Sequence, residues 1–119
     1  MTADGDITLG GITANAGITL TSTSGAVIDG GDSLTDAATA GTLTIDAVTG
    51  AGSVNALETA AAALDIDVTG TGNIGISETD QVTVNNLTAA DGGVTVTAGG
   101  TITVSGGVSG SDSDISLTA

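Results

Sequence analysis

The chemistry open to this 119-residue chain is that of carboxylates, since it has 14 Asp and Glu residues and no Lys, Arg or His. The acids gather as Asp4/Asp6, Asp29/Asp32/Asp36, Asp65/Asp67 and Asp112/Asp114. Grouped carboxylates can hold a hard cation, which needs several oxygens converging at roughly 2.3–2.6 Å. They can also form an acid–base pair when one is kept protonated in a partly buried pocket. Asp29, Asp32, Asp36, Asp112 and Asp114 are the calcium candidates. The calcium-binding solenoid nonapeptide repeats Gly-Gly-x-Gly-x-Asp. Gly30-Gly31-Asp32 approaches it once, without the third Gly, and no EF-hand loop is present. The expectation is a solvated acidic surface and no cofactor, with structural calcium as the alternative. Asp65-Ile66-Asp67 puts both carboxylates on the outer face of a strand, where two fully wet acids have no reason to differ in acidity. No enzyme is expected on that ground.

Other classes fall to what is missing. Without Cys there is no disulfide, thiol nucleophile or thiolate zinc site. Without His the usual general base and commonest transition-metal ligand are absent. A formal net charge of −14 with no basic residue repels nucleic acid and anionic membranes. No segment approaches the roughly 18–20 apolar residues of a membrane span. Met1-Thr2-Ala3-Asp4-Gly5-Asp6 lacks the basic start of a signal peptide.

The elements that must position these acids are read from the aliphatic residues. Ile7-Thr8-Leu9, Ile18-Thr19-Leu20, Leu43-Thr44-Ile45, Ile74-Gly75-Ile76 and Val94-Thr95-Val96 alternate with period 2, as short strands with one face inward do. Thr suits the outward positions. Gly, Asn, Asp and Ser fill the intervals and supply tight bends. Gly72–Val84 and Gly92–Val104 superpose at a shift of 20 residues. Val54, Ile74, Val94 and Ile115 make one column at that step, Leu43, Leu64, Val82 and Ile102 a second, and Val48, Val68, Leu87 and Val108 a third. Three columns at a common step describe an all-β, parallel β-solenoid with about 20 residues per three-sided coil and roughly five to six coils. It forms a single segment over 1–119, with irregular coils in 1–41 and regular repeats in 42–119. In the irregular part, Val27-Ile28 and Leu34 fill the third and second columns and the acidic Asp29–Asp32 stretch bulges out. Leu57–Leu64 has local helical propensity and is read as a wide corner.

The runs GDITL, GTLTID, ETAAAALDIDVTGTGNIGISETDQVTV and AGGTITV resemble the repeat regions of filamentous-haemagglutinin-like large exoproteins and giant adhesins. The resemblance implies a right-handed β-helix, export across a bacterial envelope, and service as the shaft of a surface fibre. It carries over no functional residue.

Two further motifs have plain explanations. Outward pairs such as Thr42/Thr44 and Thr101/Thr103 would suit ice binding, but the middle coils of that array carry Ala63/Asp65 and Gln81/Thr83, and a charge spoils an ice template. Asn86-Leu87-Thr88 is a glycosylation sequon whose Leu87 is a core-column residue. The ends speak to partners. Asp112–Leu117 repeats the pattern of Asp4–Leu9, so the last coil is a template for a first one. The expected partner is the chain itself, head to tail, in an extracellular or cell-surface fibre, without nucleic acid or membrane insertion. The alternative is a passive adhesin module, or a repeat excerpt, with its binding tip elsewhere.

Overall fold

The computed structural model describes residues 1–111 and 114–119. It is all β, with twelve strands and no helix among the described residues. The first six are β1 (Thr2–Ala3), β2 (Ile7–Leu9), β3 (Ile12–Ala14), β4 (Gly17–Ser22), β5 (Val27–Asp29) and β6 (Ala37–Ala47). The rest are β7 (Leu57–Thr71), β8 (Ile74–Glu78), β9 (Val82–Asp91), β10 (Val94–Ala98), β11 (Ile102–Gly110) and β12 (Ile115–Thr118). Every ladder is parallel, and each strand lies on its equivalent in the next coil. The chain is a parallel β-solenoid.

Three files of aliphatic side chains form the core. The first runs Ile7, Val27, Ala51, Ile74, Val94, Ile115, and its six members span five turns. The second is Ile18, Leu43, Leu64, Val84, Val104. The third is Leu20, Ile45, Ile66, Leu87, Val108. Leu20, Leu43, Ile45, Leu64, Ile66 and Leu87 are wholly buried. Alternation along each strand keeps these residues inward and turns Thr outward.

The files correct the sequence-derived columns at several places. Val54 is 97% exposed, and Ala51 takes its position between Val27 and Ile74. Leu64 pairs with Val84 rather than Val82, and Val68 lies against Ala47 rather than Val48. Val27 belongs to the first file, not the third, and Leu34 is exposed. In the outward array Ala63 and Asp65 face Thr83 and Asn86, so the hydroxyl pattern is again broken. Leu57–Leu64 turns from one side of the solenoid to the next, but as extended chain: it is the start of β7, pairing with β8 over Leu57–Thr59 and with β9 from Ala63, with β6 alongside. Its local helical propensity loses to two ladders of backbone hydrogen bonds.

Two inserted segments explain the irregular steps. Residues 30–35 separate Val27 from Ala37, and residues 53–56 separate Ala51 from Leu57, where the later coil needs only Ile74 to Ile76. Both leave the first side of the solenoid on successive coils. The longer strands bend at bulges, one of them between Val104 and Gly107. There a Cβ on Gly106 would overlap the Asn85 carbonyl oxygen of the coil below, so only glycine fits.

Inward and outward positions should respond very differently to one charge. Ile74 is 1% exposed and Thr95 is exposed. Ile74→Asp should therefore unfold the chain, since an unpaired buried carboxylate costs several kcal/mol or more. Thr95→Asp should cost about 1 kcal/mol or less. Urea denaturation followed by far-ultraviolet circular dichroism compares them, and similar losses would refute the in-and-out assignment.

Candidate functional site

The sequence-derived acids separate into different environments. Asp114 is exposed, and Asp112 lies outside the described residues. Asp32 is exposed and accepts a hydrogen bond from the Leu34 N–H at 2.7 Å, a local loop turn. Asp65 and Asp67 are half-buried rather than fully wet. The Asn86 side-chain amide donates to both, at 3.2 and 3.0 Å, and the Thr88 hydroxyl donates to Asn86 at 2.9 Å. Asn86 and Thr88 of the sequon are thus spent on bridging two outward carboxylates.

Asp29 and Asp36 behave otherwise. They are 6% and 1% exposed, against the expectation of a solvated surface. Asp29 holds the position that Leu9 takes in the preceding coil, and it is the last strand residue before the first inserted segment. At Asp36 the chain re-enters the ladder, its C=O accepting from the Ile12 N–H and its N–H donating to the Glu58 carbonyl. Glu58 stands just after the second inserted segment and is the neighbour of Asp36 one coil on. One ligand atom from each of Asp29, Asp36 and Glu58 lies within 4.8 Å of the others. Three acids at the mouths of two loops meet in one place.

Their hydrogen bonds are incomplete. Asp29 accepts from the Gly31 N–H at 3.0 Å and from the Asn55 side-chain amide. Asp36 Oδ2 accepts from the Glu58 N–H at 3.1 Å. Asp36 Oδ1 and Glu58 Oε2 are buried with no hydrogen-bond partner. Burial pushes the Asp36 carboxyl up to about 6. The Glu58 N–H opposes that rise, while the charges of Asp29, Glu58 and Asp32 add to it.

Glu78 shows what a satisfied buried acid looks like in this fold. It is 4% exposed, yet it accepts from the Thr59 hydroxyl at 2.7 Å, from the Ala61 N–H at 3.0 Å and from the Asp80 N–H at 3.4 Å. Sequence reasoning picked out Asp29 and Asp36 but missed Glu58 and Asn55. The available signal was spacing, for Asp36 and Glu58 are 22 residues apart, about one coil.

A second feature is the outer face of the last coil. Val104, Ile115 and Leu117 are 46%, 46% and 37% exposed. Their ladder partners Val84, Val94 and Val96 are wholly buried, because each of those has a further coil over it. At the opposite end Ile7 and Leu9 are nearly buried, and β1 lies along β4.

The raised Asp36 carboxyl makes a pH prediction for metal-free protein. Below its ordinary value of 3.8 the group is protonated folded and unfolded alike. Between 3.8 and about 6 the unfolded chain gives up the proton while the folded one keeps it, so stability falls as pH rises. The loss amounts to about 3 kcal/mol above that range. Urea melts in chelator-containing buffer should show wild type losing about that much more than Asp36→Asn between pH 4 and 7. Parallel pH profiles for the two proteins would contradict it.

No family model matches the chain, and no curated protein or solved structure matches it either.

Proposed function

We propose that the chain is a shaft segment of an extracellular bacterial fibre, extended by coil stacking on coil. The observation that carries this reading is the exposed apolar end of the files at Val104, Ile115 and Leu117. Ile115 and Ile7 belong to one file, so a coil like the first, placed beyond the last, continues the core in register. The ends also differ in which side they extend, since β12 adds a layer beside β10 and β1 adds one beside β4. A junction draws on both. Covering an Ile, Leu or Val contributes about 1.5–3 kcal/mol for full burial, and the unpaired strand edge adds backbone hydrogen bonds. A contact of this kind is heterologous and does not close, so it propagates into a filament. Repulsion between chains of net charge −14 opposes it. The same edge would serve a passive adhesin stalk whose further coils lie in one longer chain.

Purified chain should form unbranched filaments one solenoid wide, with strands perpendicular to the long axis. Salt should promote assembly, because screening cuts the reach of exposed charges to roughly 8 Å at physiological ionic strength. Negative-stain electron microscopy and sedimentation at low and high salt read this out. Leu117→Asp should abolish filaments while leaving circular dichroism and urea stability unchanged, because Leu117 is already 37% exposed in the single chain. A wild-type chain that stays monomeric at high concentration and high salt would overturn self-stacking.

A further inference from the structure

We propose that Asp29, Asp36 and Glu58 bind one calcium ion at the place where the two inserted segments leave and rejoin the solenoid. Their ligand atoms lie within 4.8 Å of one another, a span that oxygens around an ion at roughly 2.3–2.6 Å would occupy. The independent sign of a ligand is the buried oxygen with nothing to bind. Asp36 is 1% exposed and its Oδ1 has no hydrogen-bond donor, and Glu58 Oε2 is in the same condition. Buried polar atoms are nearly always paired, and an unpaired charged oxygen is the costliest kind to leave.

The chain has no residue that could relieve this. It contains no Lys, Arg or His. The terminal amine of Met1 donates to the Thr19 carbonyl at 2.7 Å, away from the cluster. Glu78 shows that this fold can satisfy a buried carboxylate with neutral donors where it needs to. At Asp36 and Glu58 it does not. Three acids packed together without a countercharge repel one another, and a dication reverses the sign of that interaction. Oxygen-only donors select a hard cation. Calcium accepts six to eight oxygens in irregular arrangement, whereas magnesium demands near-octahedral geometry at roughly 2.0–2.1 Å. Asn55, already within hydrogen-bond reach of Asp29, offers its amide oxygen as a further ligand when that group is turned over. Water completes the shell.

Such an ion would tie the coil carrying Asp29 and Asp36 to the coil carrying Glu58. It would also fix both inserted segments where they leave and rejoin the ladder. The site stands independently of fibre assembly, because all three ligands belong to one chain and lie away from the last coil.

Titration of calcium chloride into the chelator-stripped 119-residue chain, read by isothermal calorimetry, should give one ion per chain. Thermal melts followed by circular dichroism should shift upward with calcium and not with sodium chloride of equal ionic strength. Asp36→Asn should bind at least tenfold more weakly while folding normally in metal-free buffer, where it relieves a buried charge. Asp32→Asn, at the exposed neighbour, should bind within twofold of wild type. Absence of both a heat and a melting shift would overturn the proposal. So would binding that Asp36→Asn leaves intact, or a shift that sodium chloride reproduces.

Discussion

The structure depends on one constraint: each residue lies about 4.8 Å from its equivalent in the next coil, so like stacks on like. Along the inward files this is favourable. Leu64, Ile66 and Leu87 each sit between aliphatic neighbours and are wholly buried. On the outward face the same rule sets Asp46 beside Asp67, and Asp65 beside Asn86. Thr is the safe outward residue because a hydroxyl neither repels its copy nor needs a countercharge. Close approach of backbones also decides where side chains are forbidden, as at Gly106 against the Asn85 carbonyl.

A chain without cationic side chains has few ways to bury an acid. Glu78 does it with a hydroxyl and backbone N–H groups from its own coil and the preceding one. Asp29, Asp36 and Glu58 do it only in part, and they lie where the repeat is interrupted rather than where it is regular. The inserted segments are therefore more than tolerated irregularities. They enclose polar groups that the regular coil would leave in water, and they bring acids from two coils together.

The open coil edge and the acidic corner are separate consequences of the same stacking rule. The last coil lacks the layer that covers the coils before it, so Val94 is buried and its partner Ile115 is not. A neutral or apolar file can be extended by another coil. Buried acids gain nothing from more of the same charge and need donors or a cation instead.

Composition, period 2 and a common step of about 20 residues determined a good deal: an all-β parallel solenoid, with aliphatic residues inward and Thr outward. Alternation reports inward against outward at every residue, which is why the faces of Ile74, Val94 and Leu87 could be assigned directly. Alternation is blind to a slip of two residues, since such a slip returns every side chain to the same face. Val82 was thus as good a neighbour for Leu64 as Val84 until the ladders chose between them. Side-chain size misled in the same way, for Val54 outranked Ala51 as a core residue although it lies in an inserted segment. The acidic corner was only half legible, through Asp29 and Asp36, for a further reason. Glu58 and Asn55 join Asp29 and Asp36 only when one coil is laid on the next, and the length of each coil is set by loops whose paths tertiary packing decides.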